Sequence, residues 1–175
     1  GPAEIPPKRN WLNEYCLRYA ALNGFKYNPP KKHPFNPLAA LRMSLKEVSG
    51  DDQLRVIDSI FKGGWSHGAD LGDLSTLISL LTKESIDGES LSHKILDLDI
   101  KELLINETSY AIEKGVFGVP TIIIDDNLFW GNDQMDHIEL LLDGKDPLDR
   151  ERLNDQERPR AIDRKAFKNK IKNDL

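Results

Sequence analysis

A chain of 175 residues is long enough for one domain with a real core and a small helical appendage. Its 39% hydrophobic and 30% charged content describes a soluble protein. No apolar run approaches a membrane span and no signal-peptide pattern opens the chain, so no membrane partner and a cytoplasmic location are expected. A net charge of −5 argues against a surface built for nucleic acid.

Side-chain chemistry is sparse. The single cysteine, Cys16, excludes an internal disulfide and a Cys-x-x-Cys redox pair; in Tyr-Cys-Leu-Arg-Tyr-Ala it reads as a small packing residue. His33, His67, His93 and His137 show no ligand spacing, so no metal site is expected. Neither a Gly-x-Ser-x-Gly elbow nor a phosphate loop is present. Any chemistry must use a group that the protein's own side chains do not supply.

In chain order, residues 1–9 read as a proline-rich loop without regular structure. Helical signals begin near Asn10, with Trp11, Leu12, Tyr15, Leu17, Tyr19 and Leu22 on or near one stripe, and stop at Gly24. After a loop from Tyr27 to Phe35, Asn36-Pro37 reads as N-cap plus first helical residue. Leu38, Leu41, Leu45 and Val48 follow at helical spacing up to Gly50. A further helix carries Leu54, Ile57, Ile60 and Phe61 and is expected to break at Gly63-Gly64, with Trp65 just beyond. Asp73 is placed to cap a helix bearing Leu74, Leu77, Ile78 and Leu81. Ile100, Leu103, Leu104, Ala111 and Ile112 form another stripe, closed by Gly115 as its C′ glycine.

The segment 115–133 carries the most information. Gly-Val-Pro-Thr leads into a β-branched strand, an Asp-Asp-Asn turn, a second short strand and a Gly-Asn-Asp helix start, with Asp133 as the expected cap. Met135, Ile138, Leu141 and Leu142 complete that helix. Pro120 stands at a strand start, where a missing N–H does least harm. If the Val119–Pro120 bond is cis, Val119 turns its backbone N–H and C=O outward; Val-Pro-Thr also reads as a plain loop-to-strand junction. Residues 144–175 form a charged tail, basic from Arg158 to Lys172, which reads as a solvated end ahead of a contact for an anionic partner. Two short strands alone make a marginal sheet, and the sequence offers no other strand.

Four segments together resemble the 2-hydroxychromene-2-carboxylate isomerases, relatives of the kappa-class glutathione transferases in the DsbA-like thioredoxin superfamily. They are the Pro-rich start, Lys-His-Pro-Phe-Asn-Pro-Leu-Ala-Ala-Leu-Arg (32–42), Phe-Lys-Gly-Gly-Trp-Ser-His-Gly-Ala-Asp-Leu (61–71) and the 115–143 region. The resemblance covers about residues 1–143 and favours Gly1-Pro2 being native sequence. It implies an α/β, thioredoxin-like (DsbA-like) fold with a large helical insertion. The helical domain would occupy 10–114 and the C-terminal thioredoxin portion, strand-turn-strand-helix, 115–143.

The departure is at the start. Family members begin with a β-α-β unit that supplies two sheet partners and the serine facing the glutathione sulfur, and their glutathione-contacting Asn falls just before Gly1. The catalytic serine is therefore absent from this sequence. The orphan strands make a piece of a larger protein the preferred expectation over a natural domain without its catalytic start. The 175 residues alone are expected to be catalytically impaired and marginally stable.

The resemblance implies glutathione as cofactor and a small aromatic substrate, in a cis-trans isomerisation within aromatic-compound degradation. Lys8 would pair with the glycyl carboxylate, although it equally reads as an exposed loop lysine. Val119 and Pro120 would pair with the cysteinyl backbone as an added strand does, and Asn132 and Asp133 would hold the γ-glutamyl end. Asn36 and Trp65 are substrate-cavity candidates that read first as a cap and a core residue. Two alternatives stand beside the isomerase: a kappa-type glutathione transferase, and a non-catalytic DsbA-like binding module. The family is commonly dimeric, which makes a homodimer the implied assembly.

Overall fold

The computed structural model describes residues 5–154. The first four residues and the basic tail from Arg158 to Lys172 lie outside them. The chain divides into two compact units, Gly1–Lys114 and Gly115–Leu175.

The first unit is helical: α1 (Pro6–Leu22), α2 (Leu38–Met43), α3 (Lys46–Ser49), α4 (Gln53–Phe61), α5 (Leu74–Lys83), α6 (Gly88–Lys94) and α7 (Leu98–Glu113). Helix α1 starts four residues before the expected Asn10 and takes in the second half of the supposed loop. Pro6 and Pro7 occupy its first two positions, where the missing N–H groups would have had no helical partner. Only Ala20 of α1 is buried. Along it Trp11, Tyr15 and Tyr19 form an i, i+4 ladder, with centroids 5.5 and 6.0 Å apart.

The expected helix over 38–48 is two helices. The N-cap position of α2 falls on Pro37 and not on Asn36, one residue later than expected, although the Asn36 side chain still accepts from the Leu38 N–H at 3.1 Å. At Leu45 the backbone turns extended, ending the helical path, and the Ser44 carbonyl accepts from the Gln53 amide at 2.9 Å. Gly63-Gly64 does not break the next helix. The chain runs on from α4 through a π-helical turn, Lys62–Ser66. A Cβ at either glycine would collide with Leu80 or Leu71, so these residues serve close packing.

Asp73 caps α5 as expected, accepting from the Thr76 N–H at 2.8 Å. Helix α6, unanticipated, is capped by Asp87 through the Ser90 N–H at 2.9 Å. Gly115, at φ 86°, follows the C-cap of α7 in the left-handed conformation expected of a C′ glycine. The core of this unit is assembled by α2 to α6 and the loop after the π turn. Met43, Val48, Val56, Leu77 and Leu81 are fully enclosed, with Ile60, Leu71, Ile86, Leu91 and Ile95 around them. Helix α7 buries no residue completely.

The second unit opens with an antiparallel hairpin, β1 (Thr121–Ile124) and β2 (Asn127–Trp130). Its register runs from Thr121 opposite Trp130 to Ile124 opposite Asn127. The turn is therefore the two residues Asp125-Asp126, with Asn127 already in the strand and Asp125 at φ 50°. Among the described residues the sheet has these two strands. A 3-10 turn, Asn132–Gln134, leads into α8 (Met135–Leu142), and a short α9 (Arg150–Asn154) follows. Asp133 does not cap α8: it lies inside the 3-10 turn, and no side chain caps either segment. Gly131, at φ 111°, turns the chain from β2 into that segment in a conformation open to glycine.

Candidate functional site

The turn between α7 and β1 is organised by short bonds. The Thr121 hydroxyl donates to the Gly118 carbonyl at 2.6 Å, and the Gly131 N–H donates to the Pro120 carbonyl at 3.0 Å. This second bond brings Val119-Pro120 beside Asn132-Asp133, which the sequence had separated by eleven residues. The Val119–Pro120 peptide bond is cis, as is His33–Pro34, which no sequence signal announced. Val119 is 87% exposed, and among the described residues its backbone N–H and C=O engage no hydrogen bond.

Asp133 is exposed and makes no hydrogen bond or ion pair among the described residues. Its carboxylate folds back over Gly131, where a Cβ would collide with it. Asn132 is exposed and engaged in interactions of its own. An unpaired backbone edge and an unpaired carboxylate thus sit side by side, next to N–H groups at the start of a helical segment. Such a set can hold an extended peptide-like ligand by its backbone and its ammonium group.

The remaining candidates belong to the helical unit. Lys8 lies exposed in the first turn of α1, on a helix instead of a loop. Trp65 is half-buried in the π turn and not in the core; the His33 ring meets it edge-on at 5.6 Å and reaches Phe35 at 6.0 Å. The Trp65 carbonyl accepts from the Asn28 N–H at 2.7 Å, tying the turn to the preceding loop. Asn36, one residue beyond Phe35, spends its side-chain oxygen on α2. These residues therefore make an aromatic corner, and His33 is the member that sequence spacing did not single out.

Among the described residues three groups depart from their ordinary titration. Asp73 is lowered to about 2 by hydrogen bonds from Ser75 and Thr76. Burial raises the Tyr27 phenol, and the adjacent Cys16 adds to the effect by charge and hydrogen bonding. The Asp58 carboxylate raises Lys62 by a hydrogen bond of 2.7 Å and by its charge. Lys62 also lines an open cavity of about 610 Å³ with Arg55, Asp58, His67, Lys83 and Glu84, which contains none of the sequence-derived candidates. Among the described residues no cluster of His, Cys, Asp or Glu could hold a metal, and no helix is long and apolar enough to cross a membrane.

A helical unit followed by strand-turn-strand-helix, with a proline at the strand entry, defines an α/β protein of thioredoxin type carrying a helical insertion. Residues 1–143 match the model of the DSBA-like thioredoxin domain, and the chain belongs to that family. It is 26% identical over 146 residues to the 2-hydroxychromene-2-carboxylate isomerase of Sphingobium xenophagum, covering 81% of this chain and 73% of that protein. The isomerase of the same name from Pseudomonas putida is 33% identical over 85 residues, covering 47% of this chain and 41% of its own length. A solved 2-hydroxychromene-2-carboxylate isomerase structure superposes with a TM-score of 0.74 at 23% identity, over 82% of this chain and 70% of that one. The fold expectation and the family resemblance are both borne out.

Proposed function

We propose that this chain is the glutathione-binding part of an isomerase acting on a 2-hydroxychromene-2-carboxylate-type intermediate of aromatic degradation. The observation that carries the reading is the similarity to isomerases of that name, spanning 81% of the chain in the longest of the alignments given above. The residues at the 118–133 turn fit such a ligand. The open Val119 backbone pairs with the cysteinyl residue, while Asp133 accepts from the γ-glutamyl ammonium and Asn132 helps hold that end.

When bound, glutathione supplies the thiol nucleophile for reversible addition to a conjugated double bond, which permits rotation about that bond. The chain's own part is to hold the tripeptide extended and in fixed register. That explains how a protein with one half-buried cysteine, Cys16, would support thiol chemistry.

Binding is a better readout than turnover for these 175 residues. Titration of the full chain with S-methylglutathione is expected to give saturable heat, and Asp133→Asn is expected to weaken binding by about tenfold, the loss of one charge-assisted bond. No saturable binding, or an unchanged affinity in Asp133→Asn, would remove glutathione or this site from the account.

A further inference from the structure

Helix α4, the π turn and α5 wall the open cavity of about 610 Å³, and these walls are tied to one another. The Ser59 hydroxyl of α4 donates to the Leu80 carbonyl of α5 at 3.3 Å, and the Leu80 side chain lies against Gly63. At the rim the Arg55 guanidinium donates to the Glu84 carbonyl just past α5. The π turn is wound on bonds that span five residues instead of four, and it brings His67 back to Lys62. The His67 Nδ1–H donates to the Lys62 carbonyl at 3.0 Å, which leaves Nε2 as an acceptor in the neutral ring.

Most polar groups of the cavity are already engaged, and those left over describe a ligand. Asp58 is paired with Lys62, Arg55 with Asp52, and the Ser75 and Thr76 hydroxyls with Asp73. Among the described residues the Lys83 ammonium and the Ser79 hydroxyl engage no partner. The Glu84 carboxylate accepts no hydrogen bond there, and its charge acts on Lys62. An ammonium open to an anion thus shares the cavity with acceptors open to donors. The two carboxylates repel a bare anion, and a neutral sugar leaves Lys83 to solvent. A molecule with an anionic head and several hydroxyls matches both sets. None of the lining side chains is aromatic, so the cavity offers no face for a flat ring.

We propose that this cavity is a binding site for a small sugar phosphate, with Lys83 meeting the phosphate and Glu84 the sugar hydroxyls. The cations Arg55, Lys62 and Lys83 outnumber the carboxylates Asp58 and Glu84, which favours a phosphate as the anionic head. The site lies within the helical unit and is independent of the glutathione reading.

The test titrates the full chain with glucose 6-phosphate and ribose 5-phosphate, and with glucose and inorganic phosphate as the separated halves. At least one sugar phosphate is expected to bind saturably, about tenfold or more tighter than either half. Lys83→Gln should weaken that sugar phosphate by about tenfold. Glu84→Ala should weaken it by about fivefold but leave inorganic phosphate no weaker, because a repelling charge is gone; a damaged fold would weaken both. Lys26→Gln removes an exposed lysine outside the cavity and should bind as wild type does. Absence of saturable binding for both sugar phosphates overturns the proposal. So does unchanged affinity in Lys83→Gln or Glu84→Ala, an equal loss in Lys26→Gln, or inorganic phosphate binding as tightly as the sugar phosphate.

Discussion

Asp73 shows what one side chain contributes at a helix start. Its Oδ2 accepts from the Thr76 N–H and from the hydroxyls of Ser75 and Thr76, at 2.6 to 2.8 Å, which holds the carboxyl near 2. A depressed carboxyl adds stability that is full above its unfolded value of 3.8 and lost as pH falls through about 2. Asp73→Ala is expected to lower Tm by about 2–4 °C at pH 6, as a lost cap does in a chain of this size. In reversible melts the gap to wild type should close as the pH approaches 2; a gap that persists there would assign the effect to something other than the cap. Asp73 was legible because it precedes a clear apolar stripe. Asp133 precedes one as well, but the φ of Gly131 directs the chain into a 3-10 turn and turns the carboxylate back, a backbone choice no side-chain pattern announces.

At the scale of elements, periodicity located α4, α5, α7 and the hairpin, because each places apolar residues at an unbroken spacing. It failed where glycine and short length mislead. Helix α6 has seven residues and begins on Gly88, which looks like a breaker. That glycine is there because a Cβ would stand 2.8 Å from the Ile78 carbonyl of α5. The same close packing explains why Gly63 and Gly64 carry a helix onward. Leu77 is fully enclosed within this packing. Leu77→Ala is expected to cost about 2–5 kcal/mol, measured by urea unfolding, because the helices around it have little room to collapse. A cost under about 1 kcal/mol would mean that the site is loosely packed.

Across the whole molecule, burial is uneven. The enclosed residues concentrate in α2 to α6, whereas α1 encloses only Ala20, α7 encloses none and the hairpin has two strands. Hydrogen exchange should follow that division, with the slowest amides in α4 and α5 and faster exchange along α1, α7 and the hairpin. Uniform protection across all of these would contradict it. The fold class was legible because strand-turn-strand-helix after a Gly-Val-Pro-Thr turn is an ordered set. Of the candidate site, the family resemblance singled out Val119 with Pro120 and Asn132 with Asp133 as two separate pairs, but the Pro120–Gly131 bond that brings the pairs together depends on hairpin register and was not legible.

The aromatic ladder on α1 gives this chain an optical property. Tyr15 and Tyr19 lie close enough to Trp11 to pass it their excitation energy, and the spacing depends on intact helical turns. While α1 is wound, light absorbed by these two phenols emerges as indole emission. As the helix frays, Tyr15 and Tyr19 emission should rise before the enclosed α4–α5 region reports any change, read by difference from Trp11→Phe because Tyr27, Tyr110, Trp65 and Trp130 also emit.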